Sequence, residues 1–515
     1  MKKLKIYLLS MLALAAFLAC DDYLTLYPDN AQTTDQYWNT KGDVEKVIAS
    51  GYVKLRDNVH YMFLWGEARG TGIDFMNIAD KEPKAGFEVR QLLTKQDNLL
   101  CDWSKMYEVI NMANSVLKYA PSVTEKDPSF TVQEMNGYFA EAYFLRSLAY
   151  FYLVRTFKDV PLVLQPYVND DEKFDLAQSS EETILAKIAE DLENVLASGA
   201  AKEFYPETDV DNPRNSKGRA TKWSIYALLA DIYLWQGNYD KCINACTQII
   251  GSGRVGLIGG DLWFTNYFPG NSNESIFEIQ YDYNALERQT NSFIDWFDYA
   301  KKGYYVVSNN TIMFLSETAS LGDVRFSGTV DGVSGGTYGI KLWKYLGTLP
   351  YTSGANPVRN ATNQNDQNFI IYRLAEIYLM RAEAYVMKGD AASYALAAAD
   401  VTRVRERAGI VQLFTFPSNE LEALHLILSE RVREFCGEGK SWFDLLRIAR
   451  RNNYSYKEYM IWQVLSTLSP GQYSVTRAKL LDSGSHYLPV SKKEMDANRL
   501  LEQNSYYTNL GYGRK

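Results

Sequence analysis

The chain has 515 residues, 46% of them hydrophobic and 23% charged, with a net charge of −8, so it is globular and mildly acidic. That balance excludes a nucleic-acid binder, because no basic stripe is available to displace phosphate counterions. Five cysteines are too few and too irregularly spaced for a disulfide framework, whereas 38 Tyr and 10 Trp against three His suit a surface that contacts carbohydrate or peptide.

Met1 to Cys20 reads as a targeting segment, in which Lys2, Lys3 and Lys5 precede a short apolar run from Ile6 to Phe17. The run is too short to span a bilayer and stay there. It ends Phe17-Leu18-Ala19-Cys20, which resembles the bacterial lipoprotein box, with Phe17 in place of the usual leucine. On that reading residues 1–19 are removed and Cys20 becomes an acylated N-terminus. Several chains anchor stably at about 0.8 kcal/mol per buried methylene, where one would not. Asp21-Asp22 follows directly and resembles the surface-export signal of some outer-membrane lipoproteins. The competing reading is an ordinary signal peptide in which Cys20 is incidental.

Asp43 to Asn58 is predicted as the first amphipathic helix, with Val44, Val47, Ile48 and Tyr52 on one face. Leu64 to Phe87, with its glycines, proline and mixed charges, reads as a loop. Helices follow at Asn98–Tyr119, Gln133–Phe157 and Glu181–Leu196, and Phe204–Lys217 reads as a polar connection. Gly218 to Ile250 is predicted to be two antiparallel helices about a turn at Gly237-Asn238. Trp223, Tyr226, Leu229 and Tyr233 recur there at three- and four-residue steps, as do Ile243, Cys246, Ile249 and Ile250. Ala230-x-x-Tyr233 with Gly237 is tetratricopeptide grammar, and it returns as Ala382-x-x-Tyr385 with Gly389. Ala149-x-x-Tyr152 repeats the first half, with Thr156 in the glycine's place. The copies are spaced far from the regular period of about 34 residues. The expected fold is therefore mainly all-α: tetratricopeptide-like helical hairpins with a large loop-rich insertion containing a few short strands. That insertion is placed at Arg254–Asn365, with β-prone runs at Ser275–Tyr281, Tyr304–Ser308 and Gly339–Tyr345. Helix resumes at Phe369–Lys388, Ala391–Ala408 and Leu421–Arg450, ahead of a loop-rich end. Residues 20–515 are expected to form one domain.

Letter motifs of catalysis fail on context. Gly251-x-Gly253-x-x-Gly256 follows a helix with no strand before it, so it cannot cradle a dinucleotide phosphate. Gly332-x-Ser334-x-Gly336 has neither the strand nor the helix of a nucleophile elbow. Gly439-Lys440-Ser441 resembles the end of a P-loop, but Glu434 stands where the first glycine must be. Cys242 and Cys246 lie one turn apart without a cluster to complete a metal site, and His60, His425 and His486 suggest no catalytic pair. No enzyme activity, cofactor or metal is expected, although a pair of glycosidase carboxylates could not be recognised from sequence.

Several segments together resemble the SusD/RagB family of outer-membrane nutrient-binding lipoproteins. They are CDDYLTLYPDN at Cys20, AEAYFLRSLAYFYLVRTFKDVPLV at Ala140, GRATKWSIYALLADIYLWQGNYDKCI at Gly218 and ESIFEI at Glu274. FIIYRLAEIYLMRAEAYVMKGD at Phe369, SERVREFCGEGKSWFDLLR at Ser429 and YLPVSKKEMDANRLLEQN at Tyr487 complete the set in the family's order. The resemblance implies four tetratricopeptide-like hairpins, an insertion that builds much of the ligand face, and a partner, a SusC-like TonB-dependent transporter over which the lipoprotein hinges as a lid. Within these segments Arg381, Glu383, Arg431, Arg433 and Glu434 read as paired scaffold charges on buried helices rather than as a binding site.

A sugar offers an apolar C–H face and a ring of hydroxyls, which flat aromatic rings and Arg, Asp, Asn or Gln side chains answer. Two stretches combine both on predicted loops. One is Trp65 with Arg69, Asp74 and Asn77; the other is the insertion, with Trp263, Tyr267, Tyr281, Tyr283, Trp296, Tyr304 and Tyr305. The chosen contacts are Trp65, Arg69, Asp74, Asn77, Tyr281, Tyr283, Trp296 and Tyr304. The expected function is non-catalytic capture of an oligosaccharide at the outer membrane and its delivery to the transporter. The alternatives are a peptide ligand in the same architecture, held in a longer groove by backbone hydrogen bonds, and a surface glycosidase.

Overall fold

The computed structural model describes residues 37–76, 78–168, 175–205, 213–284, 290–298, 301–332, 340–352, 358 and 365–513. The leader, Cys20 and Asn77 lie outside them, as does most of the Gly332–Gly336 stretch.

Helices α1 (Lys41–Asp57) and α2 (Val59–Glu67) open the described chain, followed by strand β1 (Ile73–Phe75) and helix α3 (Lys81–Arg90). The stretch Leu64–Phe87 is therefore not the expected loop. Its glycines are positions of close packing, Gly66 and Gly70 against residues 439–442 and Gly86 against the Phe75 ring, and Pro83 sits in the first turn of α3, where a missing N–H costs nothing. The hairpin α4 (Ser104–Lys126) and α5 (Val132–Phe157) packs with α1 against α4. A capping box starts α5: Thr131 Oγ1 accepts from the Glu134 N–H at 3.2 Å, and Glu134 returns to the Thr131 N–H at 3.0 Å. Strands β2 (Val160–Pro161) and β3 (Gln178–Ser179) pair antiparallel and lead into α6 (Glu181–Ser198), which lies on α5.

After the short α7 (Arg214–Gly218), helices α8 (Lys222–Gln236) and α9 (Tyr239–Gly251) form the expected hairpin. Gly237 ends α8 at φ 78°, a left-handed position that a Cβ would strain. The insertion holds β4 (Ser275–Ile279), α10 (Phe293–Phe297), β5 (Tyr305–Val307), α11 (Asn309–Ala319), α12 (Arg325–Thr329) and α13 (Trp343–Leu346). Trp343–Leu346 is thus a helical turn, not a strand, and Leu342 alone bridges to Val330.

The helix expected from Phe369 begins later. Phe369–Arg373 is strand β6, antiparallel to β4, and helix α14 runs Leu374–Val386. Phe-Ile-Ile-Tyr-Arg is β-branched and aromatic and is buried at all five positions, which suits a strand covered on both faces. Helix α14 forms the second expected hairpin with α15 (Ala391–Arg407), and it packs directly on α9 of the first. The helix expected over Leu421–Arg450 is two, α16 (Glu420–Phe435) and α17 (Ser441–Tyr454), parted by a turn in which Gly437 and Gly439 have φ of 78° and 74°. The end of the chain adds α18 (Lys457–Leu465), α19 (Tyr473–Leu480), α20 (Lys492–Ala497) and α21 (Ser505–Asn509).

Buried charge ties the insertion to these helices. Arg325 and Arg373 are fully buried; Arg325 meets Asp323 at 2.7 Å and Glu430 at 2.6 Å, and Arg373 meets Glu274 at 2.9 Å and Glu438 at 3.0 Å. Glu434 accepts from Arg325, Arg373 and Arg407 together. The remaining scaffold charges are paired as well: Arg381 with Asp400, Glu383 with Arg447 and Arg451, Arg431 with Glu376 and Asp444, and Arg433 with Glu317.

Candidate functional site

The two stretches selected for ligand contact meet through a two-stranded sheet. Strand β1 pairs antiparallel with β5, setting Asp74 opposite Val306 and Phe75 opposite Tyr305. The Met76 N–H extends the ladder to the Tyr304 carbonyl at 2.9 Å. Arg90, buried on α3, donates to the Ile73 carbonyl at 2.6 Å and lies 3.7 Å from Asp74 Oδ1. The Arg90 bond to Ile73 thereby fixes the strand, while the Asp74 side chain stays half exposed, and Met76 and Ile78 just after it are exposed.

Four of the selected contacts are in the core instead of on loops. Trp65 is on α2, with its indole N–H donating to the Leu100 carbonyl at 2.9 Å and its ring edge-on to Phe157. The sequence of α2, VHYMFLWGE, is apolar nearly all round, so the helix has no solvent face on which to display a ring. Arg69 donates to the His486 carbonyl and stacks over Trp442 at 4.3 Å. Trp296, on α10, packs against His60 at 4.4 Å and Phe63 at 6.0 Å between ring centroids. Tyr304 is 3% exposed, and its hydroxyl lies 3.5 Å from Glu82 Oε2. Burial and the neighbouring Asp80 and Glu82 carboxylates hold its phenol above the ordinary range. Trp263, Tyr267 and Tyr305 are also buried, the first two hydrogen-bonded to Glu434 and Glu438.

Asp74, Tyr281 and Tyr283 keep accessible surface. The Tyr281 N–H donates to the carboxamide oxygen of Asn368 at 3.0 Å, and the Arg56 guanidinium lies 6.0 Å from its ring. Sequence reasoning missed Arg90 and His60. Burial lowers His60 to about 4, so it is a neutral ring that buttresses Trp296, with Nε2 3.1 Å from the Tyr305 hydroxyl. Nothing in its spacing announces that role.

The other histidines serve structure: His425 meets the Tyr459 hydroxyl at 2.7 Å and His486 the Leu480 carbonyl at 2.9 Å. Among the described residues no group of three His, Cys, Asp or Glu is placed to hold a metal ion. Cys242 and Cys246 are buried packing residues. No described helix is long and apolar enough to cross a membrane.

Comparison with known proteins places this fold. A model described as the SusD family matches residues 331–507, and one described as starch-binding associating with outer membrane matches residues 22–234. SusD-like protein P38 of Formosa agariphila is 24% identical over 492 residues, covering 87% of this chain and 91% of the relative. Starch-binding protein SusD of Bacteroides thetaiotaomicron is 29% identical over 180 residues, 34% of this chain and 28% of that protein. Among solved structures, a SusD superfamily protein of Bacteroides vulgatus superposes with a TM-score of 0.73 at 21% identity, covering 91% of this chain and 100% of the other. A laminarin-binding SusD-like protein does so at 0.68 and 20%, over 91% and 100%. At these identities the structural likeness is one of fold.

Proposed function

Because the chain belongs to the SusD/RagB family of glycan-binding proteins, we propose that it is a non-catalytic surface lipoprotein that captures an oligosaccharide and passes it to a TonB-dependent transporter of the outer membrane. The observation that carries this reading is the pairing of β1 with β5, which sets the half-exposed Asp74 against the insertion. Tyr283, Tyr281 and Asp74 are the ligand contacts this reading retains, with Asn77 as a fourth, and Cys20 is its lipid anchor. Trp65, Arg69, Trp296 and Tyr304 belong to the buried scaffold on this reading.

Calorimetric titration of the purified chain with maltoheptaose, laminarihexaose and a pool of peptides tests the ligand class. Saturable heat with a sugar and none with the peptides is expected; the reverse result would move the assignment to peptide capture. Overnight incubation with the bound sugar is expected to return it uncut, and shortened products would show an enzyme. Co-expression with a SusC-like transporter followed by affinity purification through this chain tests delivery: the transporter should come with it.

A further inference from the structure

A second recess lies away from the β1–β5 pair in the chain. It opens between α1, α5 and α7, encloses about 640 Å³, and is lined by Glu45, Tyr52, Tyr138, Arg214, Arg219 and Gln280 among others. That volume is within the range of small-molecule sites, about 300–1,000 Å³. The recess does not stop there. Tyr52, Gly218 and Gln280 also line a hollow of about 120 Å³ beside Arg56. Arg214 and Gln280 also line one of about 170 Å³ that reaches Asn271, Tyr281 and Asn368. Common wall residues set the three side by side, a groove divided by the side chains they share.

Its polar groups are held in place before any ligand arrives. The Tyr138 hydroxyl donates to Glu45 at 2.6 Å, and the Tyr52 hydroxyl donates to Glu141 at 2.7 Å while accepting the Ala220 N–H at 2.8 Å. Arg219 grips the same Glu141 with two N–H groups, and Arg214 pairs with Asp282. The Gln280 amide donates to Asn271 at 2.7 Å and accepts from Asn271 at 3.1 Å and Asn368 at 3.2 Å. Arg214 and Arg219 are thus paired with carboxylates, and Glu45 and Asp366 offset Arg56, so the groove has no net positive charge with which to select an anion. What it offers is donors and acceptors side by side, with the tyrosine rings and the Ile48–Ala49 strip as apolar surface. That is the complement of a ring of hydroxyls around a C–H face.

We propose that this groove binds a neutral oligosaccharide chain, lying across Tyr52 and Tyr138 with Glu45, Arg214, Arg219 and Gln280 as hydroxyl partners. The proposal rests on the glycan-binding reading and extends its site from Tyr281, which lines the far hollow, along the groove to Tyr138.

Ala49 is exposed on α1 and faces the recess, so Ala49→Trp fills the groove without entering the core. Glu45→Ala removes an exposed acceptor and leaves the Arg219–Glu141 pair intact. Wild type and both variants are screened on an array of neutral, anionic and peptide ligands that includes maltoheptaose and laminarihexaose. Melting temperatures and ligand-induced hydrogen-exchange protection are measured alongside. The expected result is a neutral glycan that protects residues 214–219 and binds each variant at least about tenfold more weakly, a loss of about 1.4 kcal/mol, with melting unchanged. If the wild type binds a neutral glycan, both variants match it, and protection is confined to residues 73–82, the groove proposal fails and the glycan reading stands. Selection of an anionic glycan also overturns the groove proposal alone. Binding of peptides only, or of nothing on the array, overturns both.

Discussion

A Cβ placed on Gly66 would lie 1.7 Å from the carbonyl oxygen of Gly439, so the end of α2 and the turn between α16 and α17 meet backbone to backbone. The letters Gly439-Lys440-Ser441 are explained by that contact and not by a phosphate. Gly66→Ala should therefore cost more than the about 1–3 kcal/mol typical of an overpacked core. Gly137→Ala, in α5 with its nearest neighbour 3.8 Å away, should instead stabilise by about 0.5–1 kcal/mol. Urea denaturation of both variants checks the pair, and equal effects would refute the contact.

Glu434 is the only carboxylate held in common by Arg325, Arg373 and Arg407 among the described residues. Replacing it with glutamine leaves three buried guanidiniums short of a charge and should cost about 3–5 kcal/mol. Glu458→Gln breaks the exposed pair with Arg477 and should cost under about 1 kcal/mol. The same denaturation experiment separates them; similar losses would mean the buried network carries no special weight.

Burial pushes the Glu67 carboxyl up to about 8, outweighing the Gly439 and Lys440 N–H groups, which donate to it and pull the other way. Between the ordinary value of 4.5 and about 8 the folded chain keeps a proton that the unfolded chain has lost. Stability from this group is therefore full below about 4.5 and falls as pH rises through about 8. Glu67→Gln should remove that fall. His60 and His486, both lowered to about 4, give the opposite slope below about 6.5, but they contribute equally to both proteins and cancel in the difference. Parallel stability–pH curves for wild type and variant would rule the assignment out.

Ring truncations should split by location. Trp65→Ala and Trp296→Ala remove buried rings and should lower folding stability by about 3–5 kcal/mol. Tyr283→Ala should keep its melting temperature and weaken glycan binding by about 1–3 kcal/mol, as loss of a stacking ring does elsewhere, or roughly tenfold to hundredfold. Melting and titration are run on each variant, and wild-type binding by Tyr283→Ala would remove it from the site.

Cys20 should be acylated. Metabolic labelling with a fatty-acid analogue is expected to mark the wild-type chain and not Cys20→Ala; a labelled variant would end the claim.

The sequence was a good guide where one periodicity ran unopposed. The hairpins at Ala230 and Ala382 are found with their left-handed Gly237 and Gly389 because a helix stripe, a small residue and a stop signal all agree locally. It misled where apolar letters have two uses. Phe369–Arg373 extends the apolar pattern of α14, and only its distant partner β4 makes it a strand. Glycines at 66, 70 and 72 are loop punctuation in isolation, yet Gly66 and Gly70 allow α2 and the chain after it to touch residues 439–442. The site was legible as a pair of segments and not as side chains. Composition brought Asp74 and the insertion to notice, but whether a ring beside them is displayed or buried depends on neighbours such as His60 and Leu100 that no local window contains.

Helix α14 lies on α9, although residues 252–373 separate them in the chain. As a chain grows from its N-terminus at about 5–20 residues per second, α9 waits roughly 6–25 seconds for its cover to be made. During that interval the apolar side that carries Cys246 and Ile249 is open on its α14 flank. The insertion's length thus sets how long that flank stays uncovered.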